Sequence, residues 1–183
     1  MTDSKAKVLS KAKFLFFGCV LLTAAACAKP AADTNQSAAA GSSEPPRIAS
    51  TDVVKANPQE LTLAKGESGY AVVHLLIQNG YHINANPPSF PYLKATELEL
   101  TPASGLSVDF VTYPDPLTKK FSFSPEPLKV YEGDTPVKAM LKAGPSAPVG
   151  THNLSAKLRV QACDDQVCYP PGVIDLSVPV TIK

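Results

Sequence analysis

Two cysteines with four residues between them are the side chains best suited to chemistry in this sequence. Cys163 and Cys168 enclose Asp164 to Val167 and are followed by Tyr169-Pro170-Pro171. If the four enclosed residues form a hairpin loop, the cysteines lie opposite each other with Cα atoms roughly 4.5 to 5.5 Å apart, a distance that a disulfide accepts. The sequence therefore predicts a disulfide at the tip of a hairpin.

Such a bond is suited to exchange with other thiols. Closing so short a loop contributes only about 2 kcal/mol to stability, and a bond near a hairpin tip opens without unfolding a domain. Asp164 and Asp165 disfavour a thiolate nearby, and no Lys or Arg lies between the cysteines. We therefore expect weakly activated thiols that depend on a partner for the attacking thiolate. An inert hairpin staple is the alternative.

The N-terminus indicates export. Four lysines precede an apolar run, residues 14–26, that ends in small residues, which predicts a signal peptide over residues 1–26. The run is too short to span a bilayer as a helix. Cys27 follows Leu22-Thr23-Ala24-Ala25-Ala26, an arrangement that resembles the bacterial lipobox, so Cys27 is predicted to be lipidated. Ordinary signal peptidase cleavage is the alternative.

Export determines which cysteines remain as thiols and whether they pair. Cys19 leaves with the signal peptide and Cys27 would carry lipid, so Cys163 and Cys168 are the thiols that remain. In an oxidising exported compartment two neighbouring cysteines pair. After removal of residues 1–26, thirteen of the seventeen Lys and Arg and fifteen of the sixteen Asp and Glu remain. This near-neutral balance, without a basic stripe, argues against nucleic acid as a partner.

Composition separates a tether from a folded domain. Residues 27–50 are rich in Ala, Ser and Pro with almost no large apolar side chain, so they predict a flexible tether behind the lipid anchor. As a coil, that tether would hold the domain on the order of 25 to 30 Å from the membrane. Residues 51–183 have the length of one domain.

The pattern of residues 51–183 is β throughout. Short apolar segments, several of them alternating with polar residues, are separated by turn-forming pairs such as Asn79-Gly80 and Val149-Gly150. These features predict an all-β, immunoglobulin-like antiparallel β-sandwich without the antibody-type cysteines and tryptophan. The predicted strands are Leu61-Thr62-Leu63, 70–78, 97–100, 106–113, 128–131, 137–141, 154–162 and 173–182.

The cysteine segment also resembles a known family. The run from Ala162 to Pro171, followed by a closing strand through Val178-Pro179-Val180, is similar to the cysteine hairpin in the N-terminal periplasmic domain of the thiol:disulfide interchange protein DsbD. Upstream segments that resemble this family in the same order are residues 81–88, 92–96 and 130–133. The resemblance covers most of residues 52–183.

The resemblance implies a function. In that family an immunoglobulin-like domain takes electrons from a thioredoxin-like domain and passes them to periplasmic disulfide proteins, and a cap loop with aromatic residues shields the redox pair. It implies that Cys163 and Cys168 are a redox-active disulfide with protein-disulfide reductase activity, without assigning which one attacks. Phe121, Phe123 and Tyr169 are the candidate cap or shielding residues. Phe121 and Phe123 as ordinary strand core is the alternative.

The chain departs from the family in two respects. Its cysteines are one residue closer together, and it carries neither the transmembrane electron channel nor the thioredoxin-like domain. The predicted partners are therefore separate thioredoxin-like or disulfide-bonded envelope proteins. The competing hypothesis is a non-enzymatic sandwich that binds another envelope protein and keeps a structural disulfide.

Other chemistries have little support in the sequence. His74, His82 and His152 lack ligand spacing, so they are interpreted as surface or strand residues, and no metal or organic cofactor is predicted. No hydrolase motif occurs. The expected location is the bacterial envelope, facing the periplasm. Ala28 follows the predicted lipidated cysteine, at the position where an aspartate would resemble an inner-membrane retention signal. The lack of that aspartate favours the outer membrane.

Overall fold

The structure, a computed structural model, describes residues 48–103 and 105–183. The predicted signal peptide, the lipidated Cys27 and all but the end of the tether lie outside these residues. Within the described part of the chain, no helix has the length and apolar character needed to cross a membrane.

Twelve strands follow a single turn of 3-10 helix, Ser50–Asp52. The strands are β1 Val54–Pro58, β2 Leu61–Leu63, β3 Ser68–Ile77, β4 His82–Asn84, β5 Glu97–Leu100, β6 Leu106–Thr112, β7 Leu117–Lys119, β8 Leu128–Tyr131, β9 Asp134–Ala143, β10 Gly150–Val160, β11 Ala162–Cys163 and β12 Gly172–Ile182.

Two four-stranded sheets form the sandwich. One has the strand order β1-β3-β9-β6 and the other β2-β12-β10-β5. Their inward side chains form one continuous apolar core, in which Val73, Leu75, Leu141, Leu158 and Val180 are fully buried. The predicted all-β, immunoglobulin-like sandwich is therefore confirmed.

Strand β10 shows why the sequence specifies this arrangement. Leu154, Ala156, Leu158 and Val160 are buried, whereas the intervening residues 155, 157 and 159 are exposed. Side chains of a strand point alternately to its two faces, so this alternation fixes which face meets the core. The alternation noted in the sequence therefore corresponds to one buried and one exposed face of the strand.

A third, smaller sheet carries the cysteines. Its order is β11-β4-β8-β7, and its own apolar cluster consists of Phe121, Leu128 and Val130, with Phe90 and Leu93 packed against it. Strand β11, at the edge of this sheet, pairs antiparallel with β4, so that Cys163 lies opposite His82. The cysteine hairpin therefore extends from the edge of a small sheet beside the main sandwich.

The structure corrects the predicted strand set at several places. Strands β1, β4 and β7 were not predicted, and Ala162 of β11 was predicted only as the end of a strand over residues 154–162. Strand β4 shows no alternation, because all three of its residues are buried. The antiparallel description is wrong for one pair, since β2 lies parallel to β12. This pairing joins segments that are distant in the sequence, so the local pattern of apolar and polar residues does not predict it.

The folded domain also begins before residue 51. Ser50, which the composition assigns to the tether, lies in the 3-10 helix and is fully buried. Gly172 shows how closely this helix approaches the chain beyond the cysteines, because a Cβ atom there would lie 2.6 Å from Cγ2 of Thr51. The start of the domain therefore packs against the segment that leaves the hairpin.

Candidate functional site

Cys163 and Cys168 form a disulfide at the tip of the hairpin. Their sulfur atoms are 2.00 Å apart, and the two residues form an antiparallel bridge. The amide of Asp164 donates to the carbonyl of Val167 at 3.0 Å, and the amide of Tyr169 donates to the carbonyl of Ala162 at 2.8 Å. The predicted opposition of the two cysteines is therefore observed.

The distance between the cysteine Cα atoms is smaller than expected. It is 3.9 Å, against the 4.5 to 5.5 Å predicted from ordinary strand pairs. The flanking backbone hydrogen bonds make Cys163 and Cys168 a non-hydrogen-bonded pair, the class in which opposing Cα atoms come closest. The expected distance is therefore wrong for this pair, which is closer even than the roughly 4.5 Å usual for that class.

The two cysteines differ in exposure. Cys163 is 0% exposed, because β11 is covered by neighbouring segments, whereas Cys168 is partly exposed. The loop between them reaches solvent, and Val167 beside Cys168 is 50% exposed. An incoming group from solvent therefore meets Cys168 before Cys163.

Asp164 organises the loop between the cysteines. Its Oδ1 accepts hydrogen bonds from the amides of Gln166, at 2.7 Å, and Val167, at 2.8 Å. Its Oδ2 accepts a hydrogen bond from the Tyr169 hydroxyl at 2.5 Å. The sequence analysis considered only the effect of the Asp164 charge on a nearby thiolate and missed this function, although an aspartate that bonds amides two and three residues ahead is a recognised turn motif.

The hydrogen bond between these side chains shifts both ionisations. The Tyr169 hydroxyl, followed by the two loop amides, lowers the pKa of Asp164. The same bond raises the pKa of Tyr169 to about 12. Asp164 is therefore ionised and Tyr169 protonated throughout the neutral range, which keeps the loop closed there.

Two further side chains fix the base of the hairpin. The Ser50 hydroxyl accepts a hydrogen bond from the amide of Ala162 at 2.9 Å and donates to the carbonyl of Pro170 at 2.6 Å. Gln161 Oε1 accepts hydrogen bonds from the amide of Lys94 and the side chain of Asn84. Both sides of the hairpin are thus connected to the rest of the domain without the disulfide.

An aromatic loop between β7 and β8 lies against the hairpin. Phe121 is buried and Phe123 is 37% exposed, and their rings stack with centroids 5.3 Å apart. Between them, the Ser122 hydroxyl donates to the carbonyl of Asp165 at 2.8 Å. Both rings lie beyond the end of β7, so neither is on a strand, although Phe121 belongs to the apolar cluster of the third sheet.

A surface recess connects this aromatic loop to the partly exposed cysteine. It has a volume of about 320 Å³, and its lining includes Tyr92, Leu93, Phe123, Val167 and Cys168. Tyr169, the third candidate shielding residue, lies on the other side of the hairpin, where its ring is 6.1 Å from that of Tyr81. The structure therefore places Phe123, rather than Tyr169, beside the recess at Cys168.

His82 is a part of the site that the sequence analysis missed. It is 1% exposed, lies opposite Cys163 and stacks on Phe121 with ring centroids 4.3 Å apart. The signal available in the sequence was its position in the segment 81–88, which resembles the DsbD family. His74 and His152 lie on β3 and β10, and within residues 48–103 and 105–183 no group of three or more His, Cys, Asp and Glu side chains is arranged to hold a metal ion.

Replacing Asp164 tests its effect on the loop. We expect Asp164→Ala to accelerate amide hydrogen exchange at Gln166 and Val167, roughly five- to tenfold, because each loses a charge-assisted hydrogen bond. Asp165→Ala is the matched control, since the Asp165 contact to Ser122 uses the backbone carbonyl. The lowered pKa of Asp164 implies that acid gives the same loosening only as the pH falls through that pKa, below about 3.9. Equal exchange rates in the two variants would contradict this description of the loop.

Two solved structures are similar to this chain at low sequence identity. No curated protein sequence matches the chain. Among solved structures, the chain is similar to the DsbD N-terminal domain of Neisseria meningitidis in the reduced form, with 15% identity over 73% of this chain and 90% of that one and a TM-score of 0.48. It is also similar to the N-terminal periplasmic domain of ScsB from Proteus mirabilis, with 16% identity over 70% of this chain and 45% of that one and a TM-score of 0.46.

A match at the level of sequence identifies the family. The family model described as "Thiol:disulfide interchange protein DsbD, N-terminal" matches residues 50–177. These residues include both cysteines, the hairpin between them, the aromatic loop and His82. The chain therefore belongs to the family of the N-terminal domain of the thiol:disulfide interchange protein DsbD.

Proposed function

We propose that this chain is a protein-disulfide reductase domain that relays electrons by thiol-disulfide exchange through Cys163 and Cys168. Membership of the DsbD N-terminal family supports this function. The observation that carries it is the unequal exposure of the pair, with Cys163 buried and Cys168 partly exposed at the tip of a hairpin. Cys168 is then accessible to a partner, and the buried Cys163 can resolve the mixed disulfide.

The difference in exposure between Cys163 and Cys168 supports an order of the steps. In the reduced chain the Cys168 thiolate attacks a sulfur of the target disulfide, which forms a mixed disulfide and releases one target thiolate. The Cys163 thiolate then attacks Cys168 Sγ, restores the Cys163–Cys168 disulfide and releases the second target thiolate. Two electrons pass to the target, and solvent supplies the two protons that its thiolates take up.

The return step uses the same accessible sulfur. A thiolate of a thioredoxin-like donor attacks Cys168 Sγ, because Cys163 is covered, and Cys163 departs as a thiolate that then takes up a proton. The second donor thiol resolves the mixed disulfide. Since no Lys or Arg lies between the cysteines, the donor must supply the activated thiolate, which favours exchange with proteins that dock at this site over exchange with small thiols.

The aromatic loop is proposed to act as the cap. Phe123 lies beside Cys168 at the recess, and the Ser122 hydroxyl joins the loop to the hairpin. In this arrangement the loop restricts access to Cys168 Sγ, and displacement of Phe123 by a docking partner exposes the sulfur. Tyr169 contributes by holding Asp164 rather than by covering the disulfide.

The proposed location is the bacterial envelope, facing the periplasm. The signal peptide and the lipobox-like segment before Cys27 support export and lipid anchoring, and Ala28 favours the outer membrane. Two or three acyl chains on one cysteine hold a protein stably on a membrane. The tether then lets the domain meet separate thioredoxin-like donors and disulfide-bonded recipients.

Trapping of mixed disulfides tests the function and the order of attack. In cells, Cys163→Ala should accumulate covalent adducts with envelope proteins through Cys168, because the resolving thiol is missing. Cys168→Ala should give far fewer adducts, because the remaining thiol is buried. The measurement is the set of adducts on non-reducing gels after thiols are alkylated in acid.

The double variant Cys163→Ala/Cys168→Ala is the control for adducts unrelated to the pair. An absence of adducts from both single variants would contradict the relay and favour the alternative, a sandwich that binds an envelope partner without exchange. More adducts from Cys168→Ala than from Cys163→Ala would contradict the assigned order.

Loosening the cap should speed reduction. Ser122→Ala removes one hydrogen bond, about 1 kcal/mol, between the loop and the hairpin, so we expect glutathione to reduce the disulfide up to about fivefold faster. Ser155→Ala, at an exposed position of β10, is the matched control and should leave the rate unchanged. A rate for Ser122→Ala equal to that of the control would rule out a shielding role for this contact.

A further inference from the structure

His82 connects the two parts of the site that must separate when the cap opens. It lies directly opposite Cys163 in the ladder between β4 and β11, and side chains of directly opposed residues project from the same face of a sheet. Its ring also packs on Phe121, the buried residue of the aromatic loop. One buried imidazole thus contacts the cap and lies beside the buried cysteine.

The hydrogen bonds of His82 define its tautomer. Nε2 lies 3.1 Å from the carbonyl of Asp164, which can only accept, so Nε2 carries the proton. Nδ1 faces Glu132 Oε1 at 3.5 Å, and Glu132 is paired with Lys119 Nζ at 2.6 Å. The neutral imidazole therefore donates to the cysteine hairpin and leaves Nδ1 free to take up a proton.

We propose that His82 is a positioning residue for disulfide exchange: its neutral imidazole holds the hairpin and Phe121 together, and its protonation favours opening of the cap over Cys168. This inference rests on the proposed function. It adds that access to the exchanging sulfur increases in mildly acidic surroundings, through a side chain that itself takes no part in the exchange.

The surroundings of His82 determine the direction of the effect. Burial is the largest influence and lowers the pKa of His82, and Lys119 on β7 acts in the same direction. The Asp164 carbonyl and the carboxylates of Glu132, beyond β8, and Asp165, in the hairpin, raise it but do not reverse the shift. From the aromatic loop, Phe121 packs against His82, and its side chain has no titratable group.

A lowered pKa means that the closed arrangement binds the proton less well than an open one does. The closed arrangement is thus most favoured above about pH 6.5, the ordinary pKa of histidine. Its advantage is lost as the pH falls through the lowered pKa of His82, because an imidazole exposed by cap opening takes up a proton more readily. Acid therefore shifts the population toward the open cap.

The test is the pH dependence of disulfide reduction by glutathione, with each rate constant divided by the concentration of glutathione thiolate. For the unmodified chain we expect the normalised rate constant to rise roughly threefold or more between pH 7.5 and 4.5, since each pKa unit of difference between closed and open forms is worth tenfold. His82→Gln keeps an amide donor for the Asp164 carbonyl but does not titrate. It should give a flat profile near the neutral value of the unmodified chain.

Two more variants make the test specific. His82→Phe keeps a ring against Phe121 but lacks the donor, so it should react faster than His82→Gln at every pH. His152→Gln, at a histidine on β10 that bonds the carbonyl of Pro148, is the matched control and should keep the profile of the unmodified chain. A rise with acid that persists in His82→Gln, or equal rates for His82→Phe and His82→Gln, would overturn the proposal.

A second readout separates this inference from the proposed function. Nuclear magnetic resonance of the oxidised chain reports the His82 tautomer and the signals of Phe121 and Cys168 during an acid titration, whether or not the chain exchanges disulfides. If neither Cys163→Ala nor Cys168→Ala traps an envelope protein, the proposed function fails. The positioning role then stands if the Phe121 and Cys168 signals follow protonation of His82, and fails if they do not.

Discussion

The hairpin that carries the cysteines is held closed by hydrogen bonds that do not depend on the disulfide. Backbone bonds flank the bridge on both sides, Asp164 binds the loop amides, and the Ser50 hydroxyl joins the two arms at their base. A disulfide that is the sole support of its surroundings cannot break without disorder. Because these hydrogen bonds do not involve the sulfurs, we expect the two thiols to remain opposed after reduction, so that the bond can form again.

The unequal burial of the two cysteines makes one of them more accessible to a partner than the other. The edge strand β11 places Cys163 inside the domain, whereas the loop leaves Cys168 partly exposed beside the recess that Phe123 lines. The same small sheet places His82 under Phe121 and opposite Cys163. The third sheet therefore carries the cysteine pair, and the proposed exchange needs no cleft between the two large sheets.

The predictable parts of the structure are those with local signals. Alternation in β10 specified the buried face, and the spacing of Cys163 and Cys168 specified the hairpin disulfide. Strands β4 and β11 were not predictable in this way, since β4 is buried on both faces and β11 has only two residues. Ser50 bonds to residues more than a hundred positions away, and His82 reaches the site through a cross-strand pairing. Neither contact follows from composition or spacing.

The central claim is that the Cys163–Cys168 disulfide is exchangeable rather than structural, and its reduction potential tests this most directly. The oxidised protein would be equilibrated in redox buffers, and the reduced fraction determined by alkylation of free thiols. The account predicts a potential above about −300 mV, the range of labile and catalytic disulfides. A potential below that value, typical of structural disulfides in secreted proteins, would contradict it.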